Sequence, residues 1–313
     1  VSYTKGVIDA IREQVERRYH YGHGDFFELL LLAYLARGHV LVEGPPGTGK
    51  TFTARLLAHL LAKRFHRIQF TSDLLPGDIL GASIYSPATQ SFVFVAGPIF
   101  ADFILADEIN RTPPRTQSAL LEAMEERQVT VEGESRALSP DFFVIATQNP
   151  QDYEGTFALP EVQLDRFLLK LTVHHADLET EAMMLRASLE NRLPPPLEEL
   201  KPSLIDRAKV DAEAATVRFD DSLVRYLAKL LQATRNHPML HSGASFRGGL
   251  ALSQLARLRA LAQGRDFVTV DDLKILAPPA LRHRIRLKPE AQVSRIDEVT
   301  VLAEVLAQVP FPD

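Results

Sequence analysis

The chain has 313 residues, 46% hydrophobic and 24% charged, which fits an ordinary soluble globular protein with room for two domains. A formal net charge of −5 excludes a global basic footprint for nucleic acid, and the lack of cysteine excludes disulfides and thiolate metal sites. No apolar run reaches transmembrane length, no signal peptide is visible at Val1, and the cysteine-free composition fits a reducing compartment, so a cytoplasmic location is expected.

From Val1 to about Asn191, strand-like and helix-like segments alternate, which predicts a parallel α/β sheet. The predicted strands are Val40–Glu43, Arg67–Phe70, Phe103–Asp107, Phe142–Thr147 and Leu168–Val173. Phe26–Ala36 is apolar but too short to span a membrane. After the first strand comes Gly44-Pro45-Pro46-Gly47-Thr48-Gly49-Lys50-Thr51, then a helical pattern from Phe52 to Leu61. This run fits the phosphate-loop pattern G-x-x-x-x-G-K-[ST] in its proper strand–loop–helix context. Glycines let main chain wrap an anion, and the helix N-terminus offers free N–H groups and partial positive charge. Lys50 is placed to reach the β- and γ-phosphates, and Thr51 to put its hydroxyl on Mg²⁺. Residues 44–51 and Phe52 are the candidate nucleotide contacts.

A phosphate loop alone fits a small-molecule kinase, a GTPase or an ATPase. Phe103-Ile104-Leu105-Ala106-Asp107-Glu108 narrows the choice, because an apolar strand ends there in two carboxylates. Asp107 suits a role at Mg²⁺, direct or through water, and at the nucleotide; Glu108 suits a general base for an attacking water. An exposed acidic turn is the alternative. Phe142–Thr147 then delivers Gln148-Asn149-Pro150 to the carboxyl edge of the sheet, where ligands bind in open α/β folds. Asn149 is placed to hold the water against the γ-phosphate, with a plain Asn-Pro turn as the alternative. Two short apolar segments, Phe92–Val95 and Gln128–Val131, read as parts of small hairpins outside the main sheet.

A helix is predicted over Leu178–Asn191, ended by the proline run Pro194-Pro195-Pro196. Beyond it the pattern is helical: Ser222–Arg235, Gly248–Gln263 and Asp271–Ala277, the last opened by Thr269 and Asp272 as a capping box. The expected division is an α/β nucleotide domain over 1–195 and a smaller helical domain over 196–313. His20, His23, Met124 and Met183 are assigned to packing or surface rather than metal, since no third ligand lies near the two histidines. The adjacent His174 and His175 are assigned likewise and expected to point apart on a strand.

These motifs, in this order, resemble an AAA+ ATPase and, more narrowly, the MoxR family. The resemblance is carried by GPPGTGKT at Gly44–Thr51, DLLPGDILG at Asp73–Gly81, GPIFADFILADEINRTPPRTQSALLEAMEERQVT at Gly97–Thr130, FVIATQNP at Phe143–Pro150 and EGTFALPEVQLDRF at Glu154–Phe167. It implies a P-loop AAA+ parallel-sheet domain with a smaller C-terminal helical lid, using ATP and Mg²⁺. It further implies that Arg166 is an arginine finger reaching the neighbouring subunit's nucleotide, with a structural arginine paired to Asp165 or Asp152 as the alternative. Arg247 matches the family's sensor-2 arginine, expected at the γ-phosphate of its own subunit, with a solvated helix arginine as the alternative. Phe246 departs from the family's usual proline there and puts the local helix start in question. Arg111, also typical of the family, is expected at the subunit interface. The inserts at 81–97 and 128–138 are expected to face the pore or a partner.

The implied function is a homo-oligomeric ring, usually hexameric, that couples ATP hydrolysis to chaperone-like remodelling or maturation of partner proteins. Its usual partners contain von Willebrand factor A domains. The rivals are an AAA+ nucleic-acid motor or helicase loader, disfavoured by the acidic balance, a nucleotide-switched binding module with little turnover, and a small-molecule kinase.

Overall fold

The computed structural model describes residues 2–18, 24–149, 155–190, 197 and 200–310. Two helices, α1 (Tyr3–Arg18) and α2 (Gly24–Leu35), precede β1 (Val40–Glu43), which leads into α3 (Lys50–Leu60). Next come β2 (Phe65–Gln69), the short α4 (Pro76–Leu80), and a hairpin of β3 (Gly81–Ser86) and β4 (Ser91–Ala96). Then β5 (Phe103–Asp107) precedes α5 (Pro114–Glu126), the hairpin β6 (Gln128–Val131) with β7 (Glu134–Ala137), and β8 (Phe143–Gln148). The short α6 (Glu161–Leu164), β9 (Leu169–Thr172) and α7 (Leu178–Leu189) follow. The C-terminal part holds α8 (Arg207–Thr216), α9 (Asp221–Asn236), β10 (Leu240–Ser242), α10 (Phe246–Ala262), α11 (Val270–Leu281), β11 (Arg286–Leu287), α12 (Pro289–Val293) and α13 (Glu298–Gln308).

The five predicted strands form one parallel sheet in the order β2-β5-β8-β1-β9. Strand periodicity sends alternate side chains to opposite faces. Val40, Val42, Phe103, Leu105, Phe143 and Ile145 enter one core with α1, α2 and α3. Leu41, Ile104, Ala106, Val144 and Ala146 enter the other with α5 and Phe167. Burial on both faces is why these strands read as unbroken apolar runs. The first core continues into α8–α11 and α13, so the helical C-terminal part packs on the same side of the sheet. A polar joint reinforces it: Asp141 takes Lys63 at 2.5 Å, Arg207 at 2.8 Å and the Tyr34 hydroxyl at 3.1 Å.

Both apolar inserts are hairpins, and the Thr269–Asp272 capping box is present. The expected end of the last helix at Ala277 is corrected, because α11 runs through Pro278 and Pro279 to Leu281. The main-chain N–H groups lost at the prolines would have bonded the carbonyls of Lys274 and Ile275, which are exposed, while Leu276, Ala277, Ala280 and Leu281 are buried and hold the turn. The helix is also registered at its start, where Asp272 is held by Arg265 at 2.7 and 2.8 Å. His174 and His175 are likewise corrected: they follow the end of β9 and are not in a strand. The proposed boundary at 195/196, the proline run, His20 and His23 lie outside the described residues. The first turn of α1 is tied to the helical part, since the Tyr3 and Thr4 N–H groups donate to Glu213 at 2.7 and 2.9 Å.

His39 joins the sheet to α5. Its Nδ1 accepts from the Val144 N–H at 3.0 Å and its Nε2 donates to the Met124 carbonyl at 3.2 Å, so both ring nitrogens are used in the neutral form. Burial, with Arg127 adding repulsion, pushes its pKa from 6.5 down to about 3. The unfolded chain therefore binds the extra proton first, and this contribution to stability is intact above pH 6.5 and lost progressively as pH falls toward 3. Chemical denaturation at pH 7.5 and 5 should show the wild type losing about 2 kcal/mol more than His39→Gln over that interval. Equal losses would contradict a neutral His39.

Candidate nucleotide site

The phosphate loop is built where β1 leaves the sheet. Gly44 is forced by close approach, because a Cβ there would stand 2.3 Å from the Val173 carbonyl oxygen. Gly47 and Gly49 are required by conformation, with φ of +79° and +80°. Gly49 is the N-cap of α3 and brings no side-chain cap, so the first N–H groups of an 11-residue helix face the loop. Lys50 folds back over the loop, donating to the carbonyls of Gly44 at 2.8 Å and Pro45 at 2.6 Å and to the Thr48 hydroxyl at 3.3 Å. Partial burial lowers its pKa, against the pull of Asp107 and Glu108, which raise it.

Gly44, Pro46, Gly47, Thr48, Gly49, Lys50, Thr51, Phe52, Asp107, Glu108 and Asn149 line one cleft of about 430 Å³ together with Arg67, Thr147 and Gln148. Pro45 belongs to the same loop and contributes its carbonyl to Lys50. The cleft gathers these because β1, β5 and β8 are neighbours and end at the same edge.

Glu108 leaves β5 in a left-handed conformation, φ 59° and ψ 48°. A non-glycine residue there costs about 1–3 kcal/mol and persists only where its surroundings hold it. Here the Glu108 N–H donates to the Thr147 hydroxyl at 2.9 Å, and that hydroxyl donates to Asp107 at 2.5 Å. One threonine thus holds the Asp107 carboxylate and the Glu108 main chain. The Glu108 carboxylate accepts from Gln69 at 2.8 Å and meets Arg111 at 3.3 Å, so Arg111 is tied to the acid of its own chain. Asp107 accepts two bonds from Arg67, at 2.6 and 2.9 Å.

Thr51 and Asp107 offer hard oxygen donors suited to Mg²⁺, and the loop glycines and bare helix end suit a polyphosphate, so the residues present fit Mg-ATP. Beside the loop lies a larger cavity of about 880 Å³, lined by Phe26, Leu29, Lys170, Thr172, Pro278 and Arg282 among others. It adjoins the loop through Glu43, which Lys170 meets at 2.8 Å and Arg282 at 3.9 Å.

Arg166 and Arg247 are not among the residues lining either cavity. They converge elsewhere, on Glu125 at the end of α5, at 3.0 and 3.4 Å. Arg247 also approaches Asp165 at 3.9 Å. The structure thus places Arg247, expected at its own chain's γ-phosphate, beside Arg166 and outside the cleft. Phe246 does not disturb the helix, which begins on that residue. Arg166 pairs with Glu125 rather than Asp165, and Asp152 lies outside the described residues.

Sequence reading missed Arg67 and Thr147 in the cleft, Gln69 behind Glu108, and Glu125 beneath the two arginines. A signal existed for Arg67 and Gln69: they are polar residues two apart on a strand, and Gln69 is in register with Asp107. Nothing in a lone threonine or in a helix-end glutamate marks the others.

The family model for the ATPases associated with various cellular activities (AAA) matches residues 39–169, and that for the AAA lid domain matches 232–305. The chain is 46% identical to an uncharacterized protein, YeaC, of Bacillus subtilis over 93% of its own length and 91% of that protein. It is 38% identical to Chaperone MoxR1 of Mycobacterium tuberculosis, over 93% and 79%. A crystal structure of a candidate ATPase from Cytophaga hutchinsonii superposes with a TM-score of 0.91 at 36% identity, covering 99% of this chain and 96% of that one. On these matches, and with the parallel sheet, phosphate loop and helical lid in place, the chain belongs to the MoxR family of AAA+ ATPases.

Proposed function

We propose that this chain is a Mg²⁺-dependent ATP hydrolase that works as a homo-oligomeric ring and uses turnover to remodel or mature partner proteins in the cytoplasm. The observation that carries the reading is a division of labour. The cleft gathers Lys50, Thr51, Asp107, Glu108 and Asn149, whereas Arg166 and Arg247 stand together outside it. The arginine among the described lining residues, Arg67, is already neutralised by Asp107. An own-chain cleft so equipped binds and primes a triphosphate but lacks a free arginine for transition-state charge.

In this reading the loop N–H groups and Lys50 hold the β- and γ-phosphates, and the base and ribose occupy the larger cavity between α2, β9 and α11. Thr51 and Asp107 hold Mg²⁺, which when bound neutralises charge on the phosphate oxygens. Gln69 orients the Glu108 carboxylate, which takes the proton from the attacking water, and Asn149 keeps that water in line. Arg166 is supplied to the neighbour's nucleotide, and Arg247 joins it there rather than serving its own chain. Leaving Glu125 costs each of them one partly exposed ion pair, a cost of order 1 kcal/mol or less.

Several features support assembly and a protein client. Val162, in the short helix just before Arg166, and Phe246, beside Arg247 at the start of α10, are 81% and 71% exposed, and apolar exposure of this kind marks contact surfaces. The relative named Chaperone MoxR1 supports a chaperone role, and a von Willebrand factor A domain protein remains the proposed partner type. Division into an α/β core and a lid is supported by the separate matches at 39–169 and 232–305. Among the described residues no helix is long and apolar enough to cross a membrane.

Two outcomes are expected. Glu108→Gln should keep its affinity for ATP within about threefold and lose at least about 100-fold in kcat, measured by phosphate release; unchanged turnover would remove Glu108 as the base. Wild-type specific activity should rise with protein concentration as subunits associate, and Arg166→Ala should stay low at every concentration, by roughly 10³-fold at saturation. Full activity in a monomeric preparation would contradict the shared site.

A further inference from the structure

The turn that carries Arg166 is held from an unexpected direction. Arg284, in the 3₁₀ turn Arg282–Arg284 that closes α11, has a side chain only 4% exposed. Its Nε donates to Asp165 Oδ1 at 2.6 Å. Its two terminal nitrogens donate to the carbonyls of Asp165 at 3.3 Å, Phe167 at 2.8 Å and Leu168 at 3.2 Å, and to that of Ala280. His283 adds a second bond to the Phe167 carbonyl, at 2.8 Å. The chain segment on either side of Arg166 is thereby fastened to the lid, while the Arg166 head group rests on α5 through Glu125. The guanidinium is planar and its donors diverge in one fixed fork, so this grip sets orientation as well as distance.

The other end of the same three-residue turn faces the larger cavity. Arg282 lines it, donates to the Thr172 hydroxyl and stands 3.9 Å from Glu43, the residue immediately before the phosphate loop. One three-residue turn therefore touches the space beside the loop with Arg282 and the finger-bearing segment with His283 and Arg284.

We propose that Arg284, assisted by His283, is a positioning residue that sets where Arg166 stands, and that the Arg282–Arg284 turn passes the nucleotide state of one subunit to the arginine it offers the next. The inference rests on Arg166 acting on a neighbour's nucleotide, as proposed above. A lid shifted by ligand in its own cavity moves the finger by the same turn. A displacement of about 1 Å in such a group is enough to change turnover on the order of 100-fold.

The test is subunit mixing with the full chain. Lys50→Ala brings an intact finger and no competent cleft; Arg284→Ala and Arg166→Ala bring an intact cleft and a displaced or missing finger. Arg284→Ala should bind ATP within about threefold of wild type yet turn over at least tenfold more slowly. Mixing it with Lys50→Ala should restore turnover several-fold above either parent, as mixing Arg166→Ala with Lys50→Ala should. Recovery for Arg166→Ala without recovery for Arg284→Ala overturns the positioning role and leaves the shared site standing. Wild-type turnover by Arg284→Ala alone also overturns it. Failure of Arg166→Ala to lose activity, or to recover on mixing, removes the shared site and this inference with it. If Arg284→Ala does not purify folded, Arg284→Lys, which keeps the charge beside Asp165 but not the fork, enters the same mixtures under the same criteria.

Discussion

A parallel sheet covered on both faces leaves little room for polar side chains except at its ends. Phe103 to Ala106 and Phe143 to Ala146 are buried on one face or the other, so the first positions where a charge is tolerated come where the strands stop. Because β1, β5 and β8 lie side by side and run the same way, their stops coincide. The phosphate loop, the Asp107–Glu108 pair and Asn149 meet there for that reason, and the rest of the site depends on this edge.

Acids and bases are paired locally within two clusters, each with more cations than carboxylates. At the cleft, Arg67, Lys50 and Arg111 face Asp107 and Glu108, with Thr147 and Gln69 fixing the acids. On the other cluster, Arg166, Arg247 and Arg284 face Glu125 and Asp165. The two arginines on Glu125 have partly exposed side chains and sit in pairs that water weakens. Arg284 is buried and bound to main chain, so it stays while the others are free to leave. Two weakly held arginines beside a buried clamp suit the proposed action on another subunit.

Much of this was legible in the sequence, because local rules and global fold agree at those positions. Burial on both faces made the central strands visible as apolar runs, and the positive φ at Gly47 and Gly49 made the loop visible as a glycine pattern. The α1 and α8 helices were not seen, since their apolar residues become a face only once Ile8, Ile11 and Val210 meet the lid. The meeting of Arg247 with Glu125 and Asp165 was not legible, because it depends on how the lid sits against the sheet, which no local pattern encodes. Arg284 gave no signal for a related reason. Three of its partners are carbonyls more than a hundred residues away, and a carbonyl has no sequence.

The central claim is that the catalytic site is shared between subunits. A structure of the Glu108→Gln assembly with Mg-ATP tests it most directly. The account predicts Arg166 detached from Glu125, with its guanidinium within hydrogen-bonding distance of the γ-phosphate held by the adjacent subunit. Arg166 still paired with Glu125, and a γ-phosphate met by no arginine of a neighbouring subunit, would contradict it.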